Sequence, residues 1–269
     1  MIILKLGGSV ITRKEEKQPT LHQENLARIS QEIANSGVKD LLIVHGAGSY
    51  GHRHAYHYQI GAPILDGEDL ARKRLGFSIT HQGVQELNLE VCRALLDQKI
   101  PAVPLSPSSF IHTHHKRIEE FETDLIGQYL ELGLVPVLYG DVVLDQDLKI
   151  KMAVLSGDQI LQYLAQQLGA EQVILGTDVD GIYNRNPKTH PNAQLIPLVT
   201  SLDDVDFLEG AHTMDVTGGM GGKVKELLQL AEEEVESQII NLNVEGLLER
   251  ALMGDKVPGT WIKKRPMKE

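Results

Sequence analysis

Short apolar runs alternate along this chain with longer stretches of helical periodicity, and this alternation constrains the fold more than any other feature. The apolar runs predict buried strands at residues 2–6, 40–44, 102–104, 135–139, 172–175 and 238–241. The stretches between them predict helices at about 24–36, 68–97, 118–132, 156–168, 217–235 and 244–252. Strands that alternate with helices form a mostly parallel sheet covered on both faces. We therefore expect an α/β three-layer sandwich with a central, mostly parallel sheet.

Length and composition fit one globular domain. The chain has 269 residues, of which 42% are hydrophobic and 23% are charged, as in a folded protein with a sizeable core. Aromatic residues make up only 4%, so Leu, Ile, Val and Ala must fill that core. We expect a single domain over residues 1–269, with a soft boundary near 145–155 between an N-terminal lobe of about 1–150 and a C-terminal lobe of about 151–269.

The charge argues against one class of partner. The formal net charge is −11, whereas a nucleic-acid binder needs a basic surface to neutralise phosphates, so we expect no nucleic-acid partner. A local basic pocket for a phosphorylated ligand remains compatible with this charge. The single cysteine, Cys92, fits a reducing compartment. No signal-peptide layout and no run of roughly 20 apolar residues is present, so we expect a soluble, cytoplasmic protein without a membrane partner.

Glycine-rich loops follow the first two predicted strands. Residues 5–9 read KLGGS and residues 45–52 read HGAGSYGH. Glycine lets the backbone turn tightly and lets its N–H groups approach an anion without a Cβ in the way. Two such loops favour two phosphate groups lying side by side, although tight turns without a ligand have the same composition. Neither loop has the Walker pattern, and no acidic residue suited to a dinucleotide ribose closes a second strand.

Further short motifs follow later strands, where parallel sheets bind ligands. They are Gly140-Asp141, Ser156-Gly157-Asp158, residues 177–181 (TDVDG) and residues 215–223 (DVTGGMGGK). The last motif joins an anion-binding helix start to the movable charge of Lys223 one turn later. The TDVDG motif offers acceptors to a nucleotide and is equally typical of an Asx-type turn.

These motifs, in this order and at this spacing, resemble the amino acid kinase superfamily over nearly the whole chain. Within it they most resemble the isopentenyl phosphate kinases, because His52 closes the second glycine loop and because residues 107–110 (PSSF) and 215–220 (DVTGGM) are similar. The usual HGGGSFGH pattern is changed at Ala47 and Tyr50. The resemblance implies a homodimer that transfers phosphate from magnesium-ATP to isopentenyl phosphate and forms isopentenyl diphosphate, as in the alternative mevalonate route of isoprenoid biosynthesis.

The resemblance also implies roles for individual residues. The implied catalytic residues are Lys5, Lys14, His52 and Asp158. The implied acceptor-binding residues are Ala47, Gly48, His52 and Gly157. The implied ATP-binding residues are Lys5, Gly7, Gly8, Ser9, Gly48, Asp178, Gly219 and Lys223. No protein-held metal is expected, since Mg²⁺ would be held mainly by ATP phosphates and water.

Other functions remain compatible with these residues. A kinase for another small phosphate or phosphonate, fosfomycin included, is similar in its loops and in His52. A ligand-sensing protein on the same fold is a third possibility, although a sensor needs no transfer lysines. The acceptor's hydrocarbon tail needs a dry wall, and the best candidates for it are Leu75, Phe77, Ile79, Val84 and Leu87. An ordinary core or dimer helix would show the same apolar residues.

Two histidine clusters remain. They consist of His52, His54 and His57, and of His112, His114 and His115. Their spacing and the lack of a partner cysteine or acidic pair disfavour a zinc site. We expect the second cluster on an exposed hairpin.

Overall fold

Strands and helices alternate along the chain in the computed structural model, which describes residues 1–13, 15–16, 18–119, 121–187, 189–205 and 219–265. Within these residues the strands are β1 Ile2–Leu6, β2 Leu41–His45, β3 Ala102–Pro104, β4 Thr113–His114, β5 Arg117–Ile118, β6 Val135–Tyr139, β7 Asp141–Leu144, β8 Met152–Leu155, β9 Gln172–Thr177, β10 Ile182–Tyr183, β11 Leu195–Ile196, β12 Leu198–Val199, β13 Glu236–Asn241 and β14 Thr260–Ile262. The helices are α1 Gly8–Ile11, α2 Gln23–Ser36, α3 Gly48–His57, α4 Gly67–Asp97, α5 Asp124–Glu131, α6 Gly157–Gln167, α7 Gly219–Glu232 and α8 Leu247–Leu252.

The main sheet crosses both halves of the chain. Eight of the described strands form it, in the order β12-β14-β13-β9-β1-β2-β6-β3. Neighbouring strands are parallel except β13 and β14, which are antiparallel. Strand β1 pairs with β2 on one side and with β9 on the other. The carboxyl ends of β9, β1, β2 and β6 therefore lie side by side at one edge, where sheets of this kind bind ligands.

Helices cover both faces of the sheet, because successive residues of a strand point to opposite faces. Ile3 belongs to the core cluster that includes α5, α6 and α7, whereas Leu4 belongs to the cluster that includes α2, α4 and α8. Both side chains are fully buried. The central strands therefore read as continuous aliphatic runs. The predicted three-layer α/β sandwich is confirmed.

Three local features differ from the sequence prediction. Helix α3 was not predicted, because it begins with a glycine, contains Gly51 and carries three histidines, all of which are poor helix formers. The antiparallel pair of β7 and β8 was not predicted either. The helix expected over 118–132 begins only at Asp124, since strand β5 takes up Arg117 and Ile118.

Close contact with α4 stabilises α3 where its own sequence does not. A Cβ on Gly83 of α4 would lie 2.6 Å from the backbone oxygen of Tyr50, and a Cβ on Gly51 of α3 would lie 2.7 Å from a methyl carbon of Val84. The missing side chains let the two helices approach closely. Helix α4 has 31 residues, yet neither it nor any other described helix has the apolar stretch that a membrane span needs.

This close approach of α3 and α4 predicts that a methyl group added at the contact lowers the stability of the fold. We expect Gly83→Ala to destabilise the fold by about 1–3 kcal/mol, because the new methyl group meets the Tyr50 carbonyl. Gly127→Ala in α5 is the matched control, since its Cβ would have no neighbour within 4 Å. Helix propensity alone should make that control neutral or more stable by about 1 kcal/mol. Urea unfolding measures both variants, and equal changes would contradict the helix contact.

Candidate active site

The loops at the carboxyl edge of the sheet are hydrogen-bonded to one another. The Gly7 amide donates to the Gly176 carbonyl at 2.9 Å, the Gly46 amide to the Leu6 carbonyl at 2.9 Å, and the Gly140 amide to the His45 carbonyl at 2.9 Å. These bonds join the ends of β9, β1, β2 and β6 in sequence. The loops therefore form one continuous ledge along the edge of the sheet.

The two glycine loops touch each other on this ledge. A Cβ on Gly8 would lie 2.6 Å from both the backbone nitrogen and the Cα of Gly48, so no other residue fits there without movement. Gly48 itself has a φ of +52°, which side chains rarely tolerate. The starts of α1 and α3 are thereby held against each other, and their backbone amides are concentrated at one place. An anion is the ligand that such a concentration of amides favours.

A buried carboxylate lies between two lysines next to these loops. Lys5 of β1 is 5% exposed and forms an ion pair with one oxygen of Asp158, which is 7% exposed and lies in the first turn of α6. The Nζ atom of Lys223 in α7 lies 3.7 Å from the other oxygen of Asp158. One carboxylate thus faces two ammonium groups, and these three side chains carry a net positive charge.

A cavity of about 80 Å³ opens at this cluster; we call it the inner cavity. Its lining includes six of the residues that the resemblance implicated, namely Lys5, Ala47, His52, Gly157, Asp158 and Lys223. Strand β1, helix α3, the start of α6 and helix α7 each supply part of this set. Its other walls include the apolar side chains Val84, Val142 and Val154. The lining therefore combines lysine side chains with apolar ones, and it also includes the carboxylate of Asp141.

The remaining expected residues lie elsewhere on the ledge or outside the described part of the chain. The Ser9 hydroxyl donates to Asp178 at 3.0 Å, so the loops after β1 and β9 also meet through side chains. Gly219 begins α7, one turn before Lys223. Lys14 and residues 215–218 of the late glycine motif lie outside the described residues. Asp180 of the TDVDG motif accepts from Asn241 at 2.9 Å and from the Tyr183 hydroxyl at 2.7 Å, as in a structural turn.

Only part of the predicted hydrophobic wall lines the inner cavity. Val84 lines the inner cavity, together with its helical neighbour Thr80, which the sequence did not single out. Phe77 packs against the adjoining apolar cluster that contains Ala55 and Val142. The others do not line it: Leu75 is 57% exposed, Leu87 lies in the core cluster between the sheet and α4, and Ile79 is half-buried.

A polar cluster behind the cavity wall was not predicted. The His81 Nδ1 atom of α4 lies 3.0 Å from a carboxylate oxygen of Asp141, and the Ser108 hydroxyl lies 3.3 Å from the same nitrogen. Asp141 lines the inner cavity and also accepts from the Val142 amide at 2.8 Å. The Gly140-Asp141 motif was noted in the sequence, but His81 had no signal within a long helical pattern.

Apart from His52, the residues of the two histidine clusters do not line the inner cavity. His114 lies in the β4–β5 hairpin with His115 at its turn, as expected, and His115 pairs with Asp147 at 2.9 Å. His54 and His57 lie in the same helix as His52. Among the described residues, no group of three or more His, Cys, Asp or Glu side chains is arranged to hold a metal ion.

Comparisons with known proteins identify similar sequences and a similar fold. The sequence model of the amino acid kinase family matches residues 1–241. An isopentenyl phosphate kinase of Methanothermobacter thermautotrophicus is 55% identical over 97% of this chain and 98% of its own length. One of Methanocaldococcus jannaschii is 32% identical over 97% of this chain and 98% of its own length. A solved structure of isopentenyl phosphate kinase superposes with a TM-score of 0.90 at 52% identity, covering 97% of this chain and 99% of that one.

The His81–Asp141 pair predicts a pH dependence of stability. The hydrogen bond to Asp141 raises the pKa of His81 above its ordinary value, against the opposing effect of burial. A raised pKa in the folded state gives stability that is fully present below the unfolded pKa of about 6.5 and is lost as pH rises through the folded pKa. We therefore expect wild type to exceed His81→Gln in unfolding free energy most at about pH 6 and progressively less towards pH 9.

His54→Gln is the control for this measurement, since His54 forms no ion pair with a described residue and lies on α3. Denaturant unfolding across the pH series should show no such change in its difference from wild type. A constant gap between wild type and His81→Gln over the same range would show that the pair does not titrate as described.

Proposed function

The chain belongs to the amino acid kinase family, and we propose that it is a phosphotransferase that moves the γ-phosphoryl group of ATP onto isopentenyl phosphate. The product is isopentenyl diphosphate, a precursor for isoprenoid biosynthesis by the alternative mevalonate route. Similarity to isopentenyl phosphate kinases along nearly the whole chain supports this assignment. Chemistry at the inner cavity supports it independently.

The observation that carries the proposal is that cationic and apolar groups line the inner cavity together. Lys5, Lys223 and the backbone of Gly157 share its lining with Val84, Val142 and Val154. A phosphate monoester with a short hydrocarbon tail likewise combines a charged part with an apolar part. An amino-acid acceptor such as glutamate would place charged groups against these valines, at a cost in desolvation.

Transfer to a phosphate acceptor needs positioning more than proton chemistry. An acceptor phosphate is already ionised at neutral pH, so no strong general base is required. We assign His52 to donate a hydrogen bond that binds and orients the acceptor phosphate, with the backbone of Ala47, Gly48 and Gly157 beside it. Lys5 offsets the negative charge that gathers between acceptor and donor, and Asp158 positions Lys5 and Lys223. Lys14 keeps the role at the γ-phosphoryl group that the resemblance implies.

ATP is assigned to the adjoining part of the ledge. The contact between Gly8 and Gly48 leaves room only for backbone, which suits a phosphate chain. Gly7, Ser9, Asp178, Gly219 and Lys223 complete this nucleotide side. Mg²⁺ would accompany ATP and neutralise its phosphate oxygens, with water as its other ligands. Apart from Gly157 and the loop of residues 7–9, the N-terminal lobe would bind the acceptor and the C-terminal lobe the nucleotide.

A homodimer in the cytoplasm completes the proposal. Helix α4 exposes Leu75, Leu89 and Leu96 at 57%, 48% and 53%. The last two lie seven residues apart and share a face, as residues in a helix-to-helix contact do. The molar mass in solution, by light scattering, decides whether two chains associate. Cys92, a free thiol, fits a reducing compartment.

A substrate panel tests the reaction. ADP release is measured with isopentenyl phosphate, fosfomycin, glutamate and N-acetylglutamate, each with Mg²⁺ and with excess EDTA. We expect kcat/KM for isopentenyl phosphate to exceed that for the others by at least about 100-fold, because their polar groups would remain unpaired in the cavity. Activity should disappear with EDTA. Turnover of another acceptor with none of isopentenyl phosphate would overturn the assignment.

The role of His52 predicts that its substitution lowers turnover of the acceptor without weakening ATP binding. We expect His52→Asn to lower kcat/KM for isopentenyl phosphate by about 100-fold, since one charge-assisted contact to the acceptor is lost, while ATP binding is unchanged. His54→Asn on the same helix is the control and should behave as wild type. Steady-state kinetics with titration of an ATP analogue separates the two effects. An equal loss in both variants would argue for damage to α3 rather than for a contact with the acceptor.

A further inference from the structure

A second, larger cavity adjoins the inner one. It measures about 720 Å³, and we call it the outer cavity. The two cavities share four lining residues, Ala55, Val154, Ser156 and Asp158. The outer cavity is otherwise lined by the end of α3 and the loop after it, by the turn of the β4–β5 hairpin and by α7. The inner cavity therefore opens into it.

The hairpin turn brings Lys116 and Arg117 to this outer cavity and is anchored by one buried carboxylate. Asp145 is 6% exposed and accepts from the Thr113 hydroxyl at 2.6 Å, from the Lys116 amide at 2.8 Å and from the His115 amide at 3.2 Å. The Gln159 side-chain amide, next to Asp158, donates to the Lys116 carbonyl at 3.2 Å. The backbone of the turn is thus fixed from both sides.

The hairpin turn has non-glycine residues at two positions where glycine would adopt the backbone conformation with less strain. His115 and Lys116 have φ angles of +50° and +66°. Two-residue hairpin turns of this hand normally contain Asn-Gly or Gly-Gly, because other residues are strained at positive φ. Strain of this kind is kept where the surrounding structure enforces it, and it gathers at functional sites. Asp145 enforces it here, and the result is a lysine held at the cavity.

Among the described residues that line the outer cavity, Arg117, Glu226 and Asp158 each form an ion pair. Arg117 pairs with Glu226 of α7 at 2.5 Å, and its second nitrogen lies 3.1 Å from the same carboxylate. Asp158 is already shared by Lys5 and Lys223. Within the described part of the chain the Lys116 ammonium forms no ion pair. It is therefore an uncompensated cation at the wide end of a path that leads to two further lysines.

The net charge of the whole protein gives a cation at this position a function. Its formal net charge of −11 repels an anionic acceptor as it approaches. A local positive charge at the mouth of a cleft counters this repulsion and raises the association rate. We propose that the outer cavity is the entry route of the anionic acceptor and that Lys116 steers the acceptor's phosphate group towards the inner cavity. This inference rests on the proposed function, and it concerns the acceptor rather than ATP because the shared walls include Ala55 of α3 and Val154.

Kinetics at varied ionic strength test the steering. Lys116→Gln removes the charge, Lys116→Arg keeps it, and Lys116→Asn removes it with a residue that tolerates positive φ. Lys99→Gln is the matched control, since Lys99 also has a positive φ, +63°, but follows α4 and lines neither cavity. At low salt we expect Lys116→Gln and Lys116→Asn to lower kcat/KM for isopentenyl phosphate by about fivefold to tenfold with kcat nearly unchanged. The loss should largely disappear at about 0.5 M salt, where screening acts within a few ångströms.

Each alternative result has its own meaning. Lys116→Arg and Lys99→Gln should match wild type, and thermal melting should show that all variants fold. A loss that persists at high salt would assign Lys116 to the shape of the turn and overturn the steering. A loss confined to kcat/KM for ATP would assign the route to the nucleotide and overturn it as well. Inactivity of the wild type with isopentenyl phosphate overturns the proposed function itself, whereas unchanged Lys116→Gln in an active protein overturns only this inference.

Discussion

The buried ion pair between Lys5 and Asp158 is the interaction on which the rest of the site depends. A charge withdrawn from water costs several kcal/mol unless an opposite charge meets it, so each of these two side chains offsets the cost of burying the other. The pair joins the first strand to the start of α6 across 153 positions of the sequence. It thereby sets where Gly157 lies relative to the two glycine loops, and where Lys223 can approach.

Because Asp158 is shared with Lys223, the pair also leaves positive charge facing the inner cavity. A strongly acidic protein needs such a local excess to hold two phosphorylated substrates together. Backbone amides of the loops add to the same field without adding charge. The close contact of Gly8 and Gly48 then fixes the spacing between the part of the ledge assigned to ATP and the part assigned to the acceptor.

The proposed selection of the acceptor involves a different part of the fold. Helices α3 and α4 approach closely through glycines, and this contact places His52 and Val84 on the same cavity. The His81–Asp141 pair joins α4 to the start of β7, and its Asp141 also lines this cavity. In the proposed function the sheet edge and its loops would hold the charged head, whereas side chains of α4, β7 and β8 would meet the hydrocarbon tail. Phosphate binding and tail recognition would then be carried by different elements around one cavity.

The sequence alone determined the layered α/β fold, the central strands and the glycine loops, because aliphatic periodicity and strand-end glycines are local signals. Motifs whose order resembles a known family also indicated six of the residues that line the inner cavity. Only the tertiary structure revealed helix α3, the His81–Asp141 pair and the held position of Lys116. Each of these depends on contacts between residues far apart in the chain. Helix α3 is poor in helix formers and is stabilised by α4. His81 meets a carboxylate 60 positions away, and the backbone of Lys116 is fixed by Asp145. Local propensity contains no information on such long-range contacts, so only the packed chain determines these three features.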